Sequence, residues 1–278
     1  MRASSRPQSA APPAPDASRL GESQLLIVGL GLIGGSLAAA LKAGGFAGTI
    51  LACDRDADEI ARGIEMGIID GGDTELANVL PGSSLVVLAV PVLAMDAVMG
   101  ALAAGLHTAA SDVVITDVGS TKAAIRDTAE RIFGKLPTNL VLGHPIAGSE
   151  KSGVAASNSR LYRQHKVILT PDEDTAPGAL CRVRALWGAC GATVLEMPVG
   201  HHDQVLARTS HLPHLLAFSL VDTLARQDER LDIFRYAAGG FRDFTRIAGS
   251  DPVMWRDIFT ANRDAVLQAL DDFEGGVA

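Results

Sequence analysis

Cysteine, basic charge and long apolar runs are all scarce in this chain. Its three cysteines, Cys53, Cys181 and Cys190, stand at no metal-binding or redox spacing. That excludes a disulfide framework or a thiolate metal centre, and it suits a reducing cytosol, so a cytoplasmic location is expected. Acidic residues outnumber basic ones by 32 to 24, and the net charge of −8 argues against nucleic acid as a partner. No apolar run reaches the roughly 18 residues that a transmembrane helix needs, so no membrane is expected. Residues 1–22 are rich in Ala, Pro and Ser and lack an apolar signal core, so they read as a disordered tail. The sequence also shows no internal repeat. What is present is 278 residues with 47% apolar content, enough for two domains and a sizeable core.

The most informative stretch runs from Gln24 to Leu41. An apolar run of strand length meets Gly29-x-Gly31-x-x-Gly34, and helix formers follow at once. Gly29 permits a tight turn, Gly31 lets a pyrophosphate approach the backbone, and Gly34 lets the helix pack closely on the strand. The helix N-terminus then offers free N–H groups to phosphate. Gly29, Gly31, Leu32, Ile33 and Gly34 are therefore candidate cofactor contacts. Asp54 follows at the ~20-residue distance expected of an acid that binds ribose hydroxyls. A carboxylate there repels a 2′-phosphate and favours NAD over NADP, a preference that the adjacent Arg55 softens.

Strand candidates at 24–29, 49–53, 84–90, 112–117 and 139–143 alternate with helical patterns at 33–44, 57–66, 92–104 and 121–134. Such alternation predicts a Rossmann-type, doubly wound, mostly parallel sheet over residues 23–198. Strands at 165–169 and 192–196, flanking a helix at about 177–189, are expected to extend the same sheet. From about 199 no strand pattern follows. Val205–Leu224 and Val253–Phe273 each read as one long helix, and 199–278 reads as an all-helical domain. Its helices are more apolar than surface helices need. They pack either on the first domain or, as the stronger expectation, on a second copy in a homodimer.

Several segments carry candidate chemistry. Val90-Pro91 ends a strand where a cofactor is lined. Ser120, in Thr116-Asp-Val-Gly-Ser-Thr-Lys122, stands either beside the nicotinamide or simply as a helix cap. His144, fixed before Pro145 at the ligand edge of the sheet, is a candidate base for an alcohol proton. His211 and His214 share a helix face, but no carboxylate completes a metal set, so no metal is expected. Pro213 should bend that helix and free a carbonyl. Arg242 and Arg246, four apart in an acidic chain, read either as a bidentate clamp for a substrate carboxylate or as surface partners of Asp243 and Asp251.

Together these segments resemble the prephenate/arogenate (cyclohexadienyl) dehydrogenase family of tyrosine biosynthesis, from about residue 24 to 273. The resemblance is carried by Gly29–Ser36, Thr116–Lys122, Gly143-His-Pro-Ile-Ala-Gly148, Ser210-His-Leu-Pro-His214, Gly240–Arg246 and Asp251-Pro-Val-Met-Trp255. It implies NAD-dependent oxidative decarboxylation of prephenate, arogenate or both, in a monofunctional chain that dimerises through the helical domain. By the same resemblance His144 is the catalytic histidine and Ser120 contacts the substrate hydroxyl and the cofactor. His214, Ser210, Arg246 and Arg242 bind substrate, while Glu150, Asp203 and Trp255 stand at the pocket mouth. The competing readings are a two-domain hydroxyacid or 6-phosphogluconate-type dehydrogenase, whose helix lysine has no counterpart here, and an NAD-binding sensor without turnover.

Overall fold

Leu25–Val28 and Leu85–Leu88 are apolar without alternation, the pattern of strands covered on both faces. In the computed structural model, which describes Ala17, Leu20, 23–149, 151–228 and 230–277, both runs lie at the centre of a sheet. The strands are β1 (Gln24–Val28), β2 (Thr49–Cys53), β3 (Gly71–Asp73), β4 (Leu85–Leu88), β5 (Val114–Asp117) and β6 (Leu140–Val141). They pair in the order β3-β2-β1-β4-β5-β6, all parallel. The helices α1 (Leu32–Ala43), α2 (Ala57–Glu65), α3 (Leu76–Val79), α4 (Met95–Gly105) and α5 (Ala123–Phe133) lie between them in sequence. Leu25 and Ile27 feed one apolar core and Leu26 and Val28 the other, one on each face. Each such side chain contributes about 1.5–3 kcal/mol on burial. The strand order turns outward in both directions from β1 and β4, which opens a crevice at their carboxyl ends.

β3 and α3 were not expected from the sequence. The strands at 165–169 and 192–196 do not extend the parallel sheet. β7 (Gly143–Ile146), β8 (Lys166–Leu169) and β9 (Thr193–Glu196) form a separate three-stranded sheet, with β7 antiparallel to β8 and α6 (Pro177–Ala189) between β8 and β9. The physical cause sits at Gly143. Its N–H donates to Asp117 Oδ1 and its carbonyl accepts from Lys122 Nζ at 2.6 Å. Lys122 and Asp117 are both fully buried, joined at 2.5 Å. The chain is thus pulled off the end of β5, and the strand expected at 139–143 keeps only Leu140–Val141. His144 lies inside β7, opposite Ile168, rather than after a strand.

The remainder is helical: α7 (Val199–Leu206), a π turn (Ala207–His211), α8 (Leu212–Ala225), α9 (Arg230–Arg235), α10 (Gly239–Thr245), a 3-10 turn (Arg246–Gly249), α11 (Pro252–Ala261) and α12 (Arg263–Val277). The run from 199 to 225 is continuous but widens into the π turn just before Pro213, which has no N–H for the carbonyl one turn back. The single helix expected at Val253–Phe273 is broken at Asn262. At the other end, Ala17 is fully buried and donates its N–H to the Gly44 carbonyl, so this part of the expected tail is docked. Most of residues 1–22 lie outside the described residues. Among the described residues no helix is long and apolar enough to cross a membrane.

Candidate active site

A cleft of about 980 Å³ opens at the carboxyl ends of β1, β2 and β4. Gly29, Gly31, Asp54, Arg55, Val90 and Pro91 line it. Gly29 has φ +97°, and a Cβ there would lie 2.3 Å from the Ala89 carbonyl oxygen. A Cβ on Gly34 would lie 2.1 Å from the Gly29 oxygen, so β1 and α1 touch backbone to backbone. Around Gly31, by contrast, a Cβ would meet nothing within 4 Å. Gly31 is the N-cap of α1 and has no side-chain cap, so the first N–H groups of the helix remain available. An open glycine backbone beside an uncapped helix N-terminus fits a dinucleotide pyrophosphate. Leu32 and Ile33 form the first turn of that helix and are half-buried, while Gly34 is buried behind them. Asp54 Oδ2 accepts from Leu30 N at 2.6 Å and Oδ1 from Asp56 N, which fixes the carboxylate at the rim of the cleft.

The second half of the site is a chain of buried polar groups crossing from the sheet to the helices. Asp203, on α7, accepts from Lys122 N at 2.8 Å and Ala123 N at 2.9 Å, and so caps α5 from another part of the fold. His202 Nδ1 lies 2.7 Å from Asp203 Oδ1, and His202 Nε2 lies 2.9 Å from His144 Nδ1. Burial alone would raise the Asp203 carboxyl, but bonds from His202 and the Ala123 and Lys122 amides outweigh it and hold the group below its ordinary value. Asp203 is therefore a carboxylate, which can only accept, so His202 carries its proton on Nδ1. His202 Nε2 is then an acceptor, His144 donates through Nδ1, and His144 Nε2 is left with a bare lone pair. Burial, reinforced by His202, Lys122 and His211, pushes His144 well below the ordinary histidine range and keeps it neutral.

A third group lies on the helices. His214 stacks on Trp255, ring centroids 3.5 Å apart at 17°, and its Nδ1–H donates to the Ser210 carbonyl. Burial lowers His214, the Ser210 bond opposes this, and the charge of Arg246 lowers it further. Arg242 and Arg246 are exposed. Among the described residues neither pairs with Asp243 or Asp251; Asp251 instead caps α11 through Val253 N and Met254 N.

A family model described as prephenate dehydrogenase, nucleotide-binding domain, matches residues 37–196, and one described as prephenate dehydrogenase, dimerization domain, matches 198–277. The chain belongs to the prephenate dehydrogenase family. A cyclohexadienyl dehydrogenase of Zymomonas mobilis is 38% identical, over 90% of this chain and 84% of the relative. A prephenate dehydrogenase of Bacillus subtilis is 37% identical, over 90% of this chain and 67% of the relative. Among solved structures, prephenate dehydrogenase from A. aeolicus in complex with hydroxyphenyl propionate and NAD+ is similar with a TM-score of 0.84 and 40% identity, covering 92% of this chain and 88% of that one. The family's first unit holds Ser120 and His144 here; its second holds Asp203, Ser210, His214, Arg242, Arg246 and Trp255.

The residues singled out in the sequence fall into three places. Gly29, Gly31, Asp54, Arg55, Val90 and Pro91 of the cofactor set line the cleft, with Leu32, Ile33 and Gly34 in the helix start behind it, His144 sits in the buried chain, and His214 joins Ser210, Trp255 and Arg246. Two further placements differ from expectation, besides that of His144 inside β7. Asp203 is not at a pocket mouth; it is buried, holding α5 and His202. Ser120 is not the cap of α5, which begins at Ala123 with its leading N–H groups bound by Asp203. Glu150 lies outside the described residues. Sequence reasoning passed over His202 and gave no role to Lys122 or Asp117. The available signal was the adjacent pair His202-Asp203 at a helix start.

Proposed function

We propose that this chain is an NAD-dependent prephenate dehydrogenase in which His144 is the general base. The observation that supports this most directly is the Asp203–His202–His144 chain, because its fixed tautomers leave an unprotonated Nε2 on a neutral histidine. Prephenate carries a hydroxyl on C4 and a carboxylate on C1 of a cyclohexadiene ring. Oxidation removes hydride from C4 and the proton from its hydroxyl. The bond from C1 to the carboxylate then breaks, carbon dioxide leaves, and its electron pair enters the ring to give the phenolate, which takes a proton back from His144 Nε2 to form aromatic 4-hydroxyphenylpyruvate. When bound, NAD supplies the nicotinamide that takes up the hydride.

His144 Nε2 accepts the hydroxyl proton, and the imidazolium so formed is stabilised through His202 by the Asp203 carboxylate. Ser120, at the loop that leads into α5, contacts the same hydroxyl and the cofactor. Arg246, with Arg242, holds substrate carboxylate, since an unpaired guanidinium matches a carboxylate bidentately. His214 offers an acceptor nitrogen over Trp255, with Ser210 holding its ring. Gly29 to Gly34 hold the pyrophosphate, Val90 and Pro91 the adjoining wall, and Asp54 the ribose. Asp54, Asp56, Glu59 and Glu75 all line that end of the cleft against the single Arg55, which favours NAD over NADP.

Across α9 to α12 and the turn after α9, Tyr236, Val253, Met254 and Phe273 are exposed, which supports a homodimer through this helical part of the chain. A cytoplasmic location accords with a biosynthetic dehydrogenase of this family. The test is NADH and carbon dioxide formation from prephenate and NAD, run beside arogenate, which has an amino group in place of the keto group, and beside NADP. Equal amounts of NADH and carbon dioxide are expected. NAD binding with no NADH from either substrate would overturn the reading in favour of a sensor.

A further inference from the structure

We infer that Asn262 is a positioning residue for this site: from the break between α11 and α12 it holds His211 as a donor through Nε2–H and ties down the Asp203 backbone. The inference rests on the reading of His144 as base. Asn262 has φ −119° and ψ 33°, interrupts an otherwise continuous helical pattern, and is buried. A buried amide is costly unless it is hydrogen-bonded. Its Nδ2 donates to the Asp203 carbonyl at 2.9 Å and lies 3.1 Å from His211 Nδ1. A carbonyl can only accept, so the nitrogen of the amide, not its oxygen, faces both partners. Its two hydrogens then go one to each. His211 Nδ1 must be the bare nitrogen, and its Nε2 must carry the proton.

Three features meet at this one amide. The Asp203 carbonyl also accepts from Ala207 N, where α7 passes into the π turn. His211 closes that π turn, and π turns are common where a helix has been reshaped for function. Asp203 is the carboxylate at the head of the His202–His144 chain. The charges that reach His211 come from Asp203 and His202 on α7, His214 on α8 and His144 on β7. Burial lowers His211 to about 4, so it stays a neutral donor throughout the neutral range. Without Asn262 the ring could flip its tautomer, and the site would lose a donor whose direction is fixed.

The test is Asn262→Asp, nearly the same size but with no N–H to give, set beside Asn262→Ala. With a carboxylate facing it, His211 Nδ1 must become a donor and the ring binds a proton more readily. We expect Asn262→Asp to lower kcat by about tenfold or more near neutral pH, with KM for NAD unchanged, and to add a second ionisation to the kcat/KM profile for prephenate through which part of the rate returns as His211 gains a proton and its Nε2–H is restored. Asn262→Ala should lower kcat without the new ionisation. A wild-type pH profile in Asn262→Asp would overturn the inference. Should either variant fail to fold, nitrogen NMR of the wild-type histidines decides: His211 must show a bare Nδ1 and a protonated Nε2, and the opposite tautomer overturns the inference. That spectrum stands whether or not prephenate is turned over, so it separates this inference from the functional reading.

Discussion

Tautomers decide what each histidine can do here. His144 and His214 both present a bare Nε2, because each uses Nδ1 as a donor, to His202 and to the Ser210 carbonyl. His202 has both nitrogens engaged and serves only as a link. Arg246 is exposed and unpaired among the described residues, so its loss should affect binding and not stability. Arg246→Ala is expected to raise KM for prephenate by about tenfold or more with a smaller change in kcat. Arg246→Lys should rescue this only in part, since an ammonium cannot reproduce the planar fork. Steady-state kinetics with an unfolding curve check it; normal KM with lost stability would refute the binding role. His144 was legible as a candidate through the His-Pro pair at a strand, although it lies inside β7 and not at the edge of the parallel sheet. His202 was not, since its meaning comes from His144, which is distant in sequence and adjacent only after folding.

Among elements, the β1–α1 turn separates packing from binding. Gly34→Ala would drive a Cβ against backbone, the Gly29 oxygen, as well as Ile27 Cγ2 at 2.9 Å. It should cost about 1–3 kcal/mol of stability. Gly31→Ala meets open space and should fold with wild-type stability, yet weaken NAD, because its methyl group would occupy the cleft wall. Urea midpoints and NAD titration distinguish the two; wild-type NAD affinity in Gly31→Ala would contradict the cradle. The parallel strands could be read from the sequence, because unbroken Val, Ile and Leu runs suit only strands covered on both faces. The partner of β7 could not, because it is chosen by the buried Lys122–Asp117 pair gripping Gly143. The break at Asn262 was equally hidden, because its cause is a pair of hydrogen bonds to distant residues.

At the scale of the whole molecule, the site is assembled from both parts of the chain: His144 comes from the small sheet, and His202 and Asp203 come from the helices that also cap α5. This should make folding sensitive to acid. Burial lowers His144, His202, His211 and His214 below the ordinary 6.5, with His211 at about 4. The unfolded chain therefore binds more protons than the native one as pH falls below 6.5, so this stability is full above that value and is lost progressively toward 4. A urea midpoint that stayed flat over that window would contradict it. The central claim is that His144, held neutral by this assembly, takes the substrate proton. Its most direct test is the pH dependence of hydride transfer in a single turnover, wild type against His144→Asn. The wild type should lose rate as pH falls, with an apparent pKa below 6.5, and His144→Asn should be slower by about 10² or more and lack that limb. A His144→Asn enzyme close to the wild-type rate, or one keeping the same acid limb, would contradict the account.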